Sequence, residues 1–353
     1  MRYEKKVLAT DMAKCYAIGM LDGDDARSFV VATEKEGPCR RFALDGAAME
    51  DVSGGPGGVM TVMQTPGRGD QLMATCKFFS PNFGADDARI VTYTRRADGS
   101  WGRSVLCDLP YVHRFGVLAG ADGRDWLVAC TIKGACRQFR DDWLAPGAVY
   151  VARLPTGGLE RFDEAHQLEL TRLSDCQLQN HGFYAAPDRG FALVGTAAGV
   201  FRYVPPARDG DDWQVTCLVV DPTSDMAPVD LDGDGRDEIV TISRFHGDTL
   251  SVWHEAGHAG QYEKVWEDPR RRGFLHAIWS GTLAGSPCAV LGNRRDGRDL
   301  IRLHHEGGAY GVEVIDHDCG PANCWAYSDG GDDYIVSANR ETDEVALYRA
   351  IAE

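Results

Sequence analysis

Gly116-Val117-Leu118-Ala119-Gly120-Ala121-Asp122-Gly123-Arg124-Asp125-Trp126-Leu127-Val128-Ala129-Cys130 sets two short apolar runs on either side of a Gly/Asp turn. Apolar runs of this length around Asp-Gly signal a β-hairpin, because Gly accepts the positive φ of a tight turn. The unit recurs along the chain. Ala17–Leu21 precedes Asp22-Gly23-Asp24-Asp25, and Thr61–Gln64 precedes Pro66-Gly67-Arg68-Gly69-Asp70. Gly182–Ala185 precedes Pro187-Asp188-Arg189-Gly190, and Ala227–Asp230 precedes Asp232-Gly233-Asp234-Gly235. Ala277–Ser280 precedes Ala284-Gly285-Ser286, and Trp325–Ser328 precedes Asp329-Gly330-Gly331-Asp332.

Seven copies in 353 residues give a period of about fifty. Short strands with turn signals at this period describe an all-β fold, a seven-bladed β-propeller of four-stranded blades. Helical signals are nearly absent. The last copy has room for three strands only: Trp325–Ser328, Tyr334–Ala338 and Val345–Ala350. The N-terminal strand 5–10 supplies the fourth and closes the ring, which pairs two otherwise open edges. Residues 1–353 then form one domain, in place of the two that length alone suggests. A linear β-solenoid is the alternative on the same repeat logic.

The net charge is −16, from 37 Lys+Arg and 53 Asp+Glu. That balance argues against nucleic acid, whose binders need a positive face, and against an anionic membrane surface. No run approaches the roughly 18 apolar residues of a membrane span. The N-terminus lacks an apolar signal region, so a cytoplasmic location is expected. The 11 cysteines are scattered, without a Cys-x-x-Cys pair, and read as reduced thiols.

Asp230-Leu231-Asp232-Gly233-Asp234-Gly235-Arg236-Asp237 alternates carboxylates around glycines. Such carboxylates converge on a hard cation, so Asp230, Asp232, Asp234 and Asp237 are candidate structural ligands for calcium or magnesium. The competing reading is an Asx-bonded turn without metal.

In a propeller, the start of each inner strand and the loop after the second strand share one face. Sorted by that rule, Tyr111, His113, Arg114, His181, His276 and Asn323 fall at inner-strand starts. Lys77-Phe78-Phe79-Ser80-Pro81, Lys133 with Asp141-Asp142-Trp143, His246 with Asp248, Arg294-Arg295 and Arg340-Glu341 fall in second loops. His113, His181 and His276 at equivalent points suit a transition metal, zinc or manganese, with His246 and Tyr111 as acid/base candidates. Arg114 joins this catalytic set. Lys77, Lys133, Trp143, Arg294, Arg295, Asn323, Arg340 and Glu341 are candidate substrate contacts, arginine forks suiting carboxylate or phosphate. A salt-bridge network of top-face loops competes for the same charges. His166, His254, His258, His304, His305 and His317 read as surface or packing residues.

The Asp-rich turn within a seven-bladed pattern resembles the FG-GAP/VCBS propeller superfamily. Tyr111-Val112-His113-Arg114-Phe115, Asn180-His181-Gly182 and Leu275-His276-Ala277-Ile278-Trp279 are more specifically similar to the propeller domain of the aldos-2-ulose dehydratase (anhydrofructose dehydratase) family. That family joins a propeller to cupin domains and removes water from keto-sugars with metal assistance. Here the blades are expected to use residues 1–353, so no cupin portion is expected among them. The resemblance implies a metal-assisted carbohydrate lyase or dehydratase, a carbon–oxygen lyase acting on a small keto-sugar or uronate by proton abstraction and β-elimination. A sugar isomerase or epimerase would use the same residues. A non-catalytic binding or scaffold propeller is the alternative. Recessed titratable groups around the axis would favour the enzyme, and an exposed aromatic patch the scaffold. The sequence does not fix the oligomeric state.

Overall fold

The computed structural model describes the chain apart from residues 24, 25, 80–83, 140, 141, 209, 258, 259 and 353. Asp24 and Asp25 of the first turn, Ser80, Pro81, Asp141 and His258 therefore lie outside the described residues. The described residues form strands and turns, with no α-helix among them. Seven four-stranded sheets result, six of them from consecutive strands.

The seventh sheet joins the two ends of the chain. Arg2–Ala9 pairs antiparallel with Glu344–Ile351, with Arg2 opposite Ile351 and Val7 opposite Ala346. This closing strand starts three residues before the expected Lys5, because the ladder extends as far as Arg2. It also stops at Ala9, short of the expected Thr10. Lys5 fixes the closure further, its Nζ lying 2.9 Å from Asp316 and 2.7 Å from Glu344.

Each blade presents its first strand inward. These strands are Cys15–Asp22, Val62–Gln64, Val112–Ala119, Gly182–Ala185, Thr223–Val229, Leu275–Leu283 and Asn323–Asp329. Except between blades 2 and 3, each touches the first strand of the next blade, and blade 7 returns to blade 1. Blade 2 reaches blade 3 through its second strand, Gln71–Cys76. Second strands such as Gln71–Cys76 and Ala192–Thr196 are buried on both faces, so they carry near-continuous small and apolar residues. Fourth strands such as Tyr262–Glu267 face water and tolerate Glu and Lys. Burying each Leu or Val, as at Leu72, Val240 and Val290, contributes about 1.5–3 kcal/mol.

Glycine permits the closest blade contact at the axis. A Cβ on Gly182 would stand 2.7 Å from Asp225 Cα and 2.8 Å from the Ser224 carbonyl oxygen. Only glycine lets blade 5 approach blade 4 that closely, immediately beside His181.

Candidate functional site

One backbone device repeats around the ring. Lys14, Tyr111, Gln179 and Phe274 have φ of 56°, 62°, 56° and 62°. Two residues after each comes an axial side chain: Tyr16, His113, His181 and His276. Gly58 and Gly320 take the same left-handed conformation two residues before Met60 and Ala322. The first strands then break register between Cys15 and Ala17, Val112 and Arg114, Thr223 and Asp225, and Leu275 and Ala277. A bulge sets two residues against one and re-aims the extra side chain. The residues so re-aimed are Tyr16, His113, Ser224 and His276. Holding bulky Tyr111 and Phe274 at positive φ costs about 1–2 kcal/mol each.

The result is a buried axial cluster. His181 Nε2 lies 3.1 Å from His246 Nε2, and Tyr16 Oη lies 3.1 Å from His276 Nε2 and 3.5 Å from His113 Nε2. The His113 and His181 rings are 4.5 Å apart between centroids, and those of His246 and His276 are 4.9 Å apart. His246 enters from the second loop of blade 5, its ring between Phe245 at 4.0 Å and Phe274 at 4.4 Å.

Neighbouring carbonyls fix two tautomers. His181 Nδ1 donates to the Ser224 carbonyl at 3.2 Å, and His276 Nδ1 to the Ala322 carbonyl at 2.7 Å. With the proton on Nδ1, each Nε2 turns a lone pair inward. Carbonyl acceptors behind metal-ligating histidines serve this purpose. His181, His246 and His276 each offer one nitrogen, and these nitrogens lie within 4.8 Å of one another. This triple differs from the expected His113, His181 and His276. His246 replaces His113, which stands against Tyr16 and Phe78.

Electrostatics keep the rings neutral. Burial pushes the pKa values of His113, His181, His246 and His276 well below the ordinary value. Positive Arg114 adds to the effect at all four. Burial raises Asp225 to about 7, against the pull of Arg114, and raises Tyr16 to about 12. Asp225 Oδ2 lies 3.9 Å from His181 Nδ1. Arg114 is buried with no carboxylate within ion-pair distance among the described residues. Its Nη1 donates to the Met60 carbonyl, and its Nη2 lies 3.5 Å from Tyr16 Oη.

The remaining candidates divide into groups. Lys133 is fully buried, bonded to the Asp142 carbonyl, with Nζ 4.8 Å from the Trp143 ring centroid. Trp143 contacts Phe245, which contacts His181, so this flank adjoins the cluster. Tyr111 turns away from the histidines: its hydroxyl donates to Asp86, and burial and Asp86 raise its pKa. Arg294 Nε donates to Glu341 at 2.7 Å, and Arg340 Nη1 donates to the same oxygen at 2.8 Å. Arg340 also forks onto buried Glu34. Arg295 is exposed over the Phe274 ring. Asn323 Oδ1 accepts from the Cys324 amide. Lys77 sits partly exposed at φ 61°, with no ion pair among the described residues. Tyr16 and Glu34 are not among the sequence candidates, and Asp225 enters from the sequence only as an inner-strand-start carboxylate able to pair with the arginines. The signal that could have found Tyr16 is its place directly before Ala17, as His181 precedes Gly182 and His276 precedes Ala277.

The Asp-rich turn lies between the first two strands of blade 5. Asp230, Asp232 and Asp234 each bring an oxygen within 4.8 Å of the others, and Asp232, Glu238 and His254 form a second such group. Asp237 belongs to neither. Asp230 accepts from the Gly233 and Gly235 amides, Asp232 from Asp234, and Asp234 from Arg236, so Asx bonds brace the turn. His254, expected as a surface or packing residue, lies 3.1 Å from Asp234. His166 is exposed beside Asp163, His317 pairs with Asp299, and His304 and His305 lie on an outer strand. The ten cysteines whose side chains are described are unbridged.

A separate cleft of about 550 Å³ is lined by Glu50, Tyr93, Trp101 and Arg103 on outer strands of blades 1 and 2. It shares no residue with the axial cluster. Both its carboxylates are engaged, Glu50 with Arg41 at 3.2 Å and Trp101 Nε1 at 3.3 Å, and Asp51 with Arg40 at 2.7 Å.

No family model matches the chain, and no curated protein does. Solved structures do match. A periplasmic gluconolactonase of Pseudomonas aeruginosa superposes with a TM-score of 0.60 at 15% identity, over 90% of each chain. A chain of a mitotic checkpoint complex superposes with a TM-score of 0.62 at 11% identity, over 99% of this chain and 94% of that one. At these identities the likeness is one of fold, the seven-bladed propeller.

Proposed function

We propose that the protein is a metal-dependent enzyme whose axial site acts on a small anionic saccharide. The observation that carries this is the convergence of three neutral histidines, His181, His246 and His276, two of them locked with Nε2 inward by backbone carbonyls. Their nitrogen donors suit zinc or manganese. Such an ion, when bound, acts as a Lewis acid on a carbonyl or carboxylate oxygen.

The chain's own residues supply the rest. Arg114, buried without a carboxylate partner, binds the substrate's carboxylate. Asp225, with a pKa near neutrality, takes the proton from the carbon next to the carbonyl. The electron pair of that C–H bond becomes a C=C bond, and the β oxygen leaves as water or alcohol with the proton that Asp225 has taken up, which returns the carboxylate to its starting state. Phe245, Phe274 and Trp143 wall the cluster and limit water. This makes the reaction a β-elimination, the lyase or dehydratase chemistry.

Hydrolysis of a sugar lactone is the second reading. It draws on the gluconolactonase, whose fold coincides with this chain over most of both lengths. The checkpoint assembly shows that the same fold also occurs in a protein complex. A scaffold presents its recognition surface outward, whereas these four histidines are recessed, which favours the enzyme.

Elemental analysis by plasma mass spectrometry decides first, on wild type and a His181→Ala/His246→Ala double variant. About one transition metal per chain, lost in the variant, supports the site and directs screening to keto-sugars, uronates and sugar lactones. Calcium alone, equal in both proteins, would remove the metal mechanism.

A further inference from the structure

His276 has a single lone pair facing the axis. Its Nδ1 is committed to Ala322, so Nε2 is the acceptor of the Tyr16 hydroxyl at 3.1 Å. An ion held by His181, His246 and His276 takes that same lone pair. Tyr16 must then give up its bond to His276. A second acceptor stands ready: His113 Nε2 lies 3.5 Å from Tyr16 Oη. His113 Nδ1 is buried with no hydrogen-bond partner, so Nε2 is the ring nitrogen that faces Tyr16, and the ring is packed against Phe78 and His181.

The spacing matches a coordination shell. Donors at about 2.0–2.1 Å from zinc, arranged as a tetrahedron, stand about 3.3 Å from one another. His181 Nε2 and His246 Nε2 are 3.1 Å apart, and so are His276 Nε2 and Tyr16 Oη. Each pair is spaced as two donors of one such shell would be, and His276 joins them, its donor nitrogen lying within 4.8 Å of those of His181 and His246. Arg114 adds positive charge beside the same oxygen, its guanidinium carbon 5.4 Å from the Tyr16 ring centroid and Nη2 3.5 Å from Oη.

We propose that Tyr16 Oη is the fourth donor of a three-histidine, one-tyrosine site for a divalent transition ion, its hydrogen bond passing from His276 to His113 when the ion enters. This rests on the metal-holding role of His181, His246 and His276 given above. It assigns His113 as a positioning residue for Tyr16. A phenol is a weaker donor than imidazole, so the fourth position stays exchangeable for a substrate oxygen.

The test is calorimetric titration of the metal-stripped full-length protein with zinc chloride, wild type against Tyr16→Phe, with absorption spectra of the cobalt(II)-loaded forms. The phenyl ring keeps the packing against His276. Expected is one tight zinc in wild type, an affinity about 10–100-fold weaker in Tyr16→Phe, and a changed cobalt spectrum as water replaces the phenol. Equal affinity within twofold and identical spectra would overturn the tyrosine donor and leave the three-histidine site standing. No zinc binding by wild type would overturn both. If Tyr16→Phe does not fold, a crystal structure of zinc-loaded wild type decides: Oη at about 2 Å from the ion supports the proposal, and beyond about 3 Å overturns it.

Discussion

Glu34 and Arg340 stand 306 positions apart and meet as a two-pronged ion pair, with Arg340 Nε 2.6 Å from Glu34 Oε2 and Nη2 on Oε1. Glu34 follows the second strand of blade 1, and Arg340 follows the second strand of blade 7, Asp332–Asn339, so the pair bolts the first blade to the last. Glu341 extends it to Arg294. Arg340 is thus consumed by the fold and is not free for a ligand.

Removing one partner of a buried pair leaves the other charge uncompensated, which costs about 3–5 kcal/mol. Glu34 is 1% exposed and Arg340 is largely covered. Glu34→Ala is therefore expected to lower unfolding free energy by several kcal/mol in urea titration. A loss under 1 kcal/mol would show that Arg340 relaxes onto Glu341 alone.

The closing strand makes its own prediction. Arg2–Ala9 covers the edge of Glu344–Ile351, whose backbone would otherwise present unpaired groups. Deleting residues 1–10 should lower the melting temperature and produce oligomers on gel filtration. A monomeric variant with an unchanged melting temperature would mean that the ring does not depend on this strand.

The same two ends show how far the sequence could be read. Seven hairpins, the closing strand and the histidines at inner-strand starts were all legible, because each rests on local turn chemistry or period. Glu34 was not, since its meaning comes from a partner at the far end of the chain. Whether His113 or His246 completes the histidine triple was also hidden. That choice depends on a bulge at His113 and on the loop carrying His246 at φ 52°, and neither has a composition signal. At the Asp-rich turn, the alternating carboxylates were plain. The approach of His254 from the neighbouring strand was not.

Arg114 separates substrate binding from stability. It is buried, yet its partners are a carbonyl and a distant hydroxyl. Arg114→Met removes a desolvated cation and keeps much of the volume, so unfolding free energy should change by no more than about 1 kcal/mol. A lost charge-assisted bond to a carboxylate weakens binding by about 1.5–3 kcal/mol, or roughly 10–100-fold. Calorimetry with a uronate and with its neutral sugar should show that loss for the uronate only. Equal weakening of both, or of neither, would remove Arg114 from carboxylate recognition.

Asp225 links the site to pH. Its pKa rises from 3.8 to about 7, with burial as the cause. Below about pH 4 the carboxyl is protonated in both folded and unfolded chains and contributes no difference. Between about 4 and 7 the folded chain binds more protons than the unfolded one, so this group lowers stability as pH rises. Above 7 the penalty is complete, roughly 4 kcal/mol for a rise from 3.8 to about 7. Asp225→Asn removes it. In the metal-free protein the variant should match wild type near pH 4 and exceed it by that amount at pH 8, in paired urea titrations. The four histidines pull the other way: their lowered pKa values reduce stability as pH falls below about 6.5, in wild type and variant alike. The difference between the two proteins therefore isolates Asp225. Zinc bound at the neighbouring histidines would favour the ionised carboxylate, so saturating metal should shrink the variant's advantage at pH 8. A difference that does not vary with pH would mean that Asp225 is ionised throughout, and it would then lose its place as the proton acceptor tuned to neutral pH.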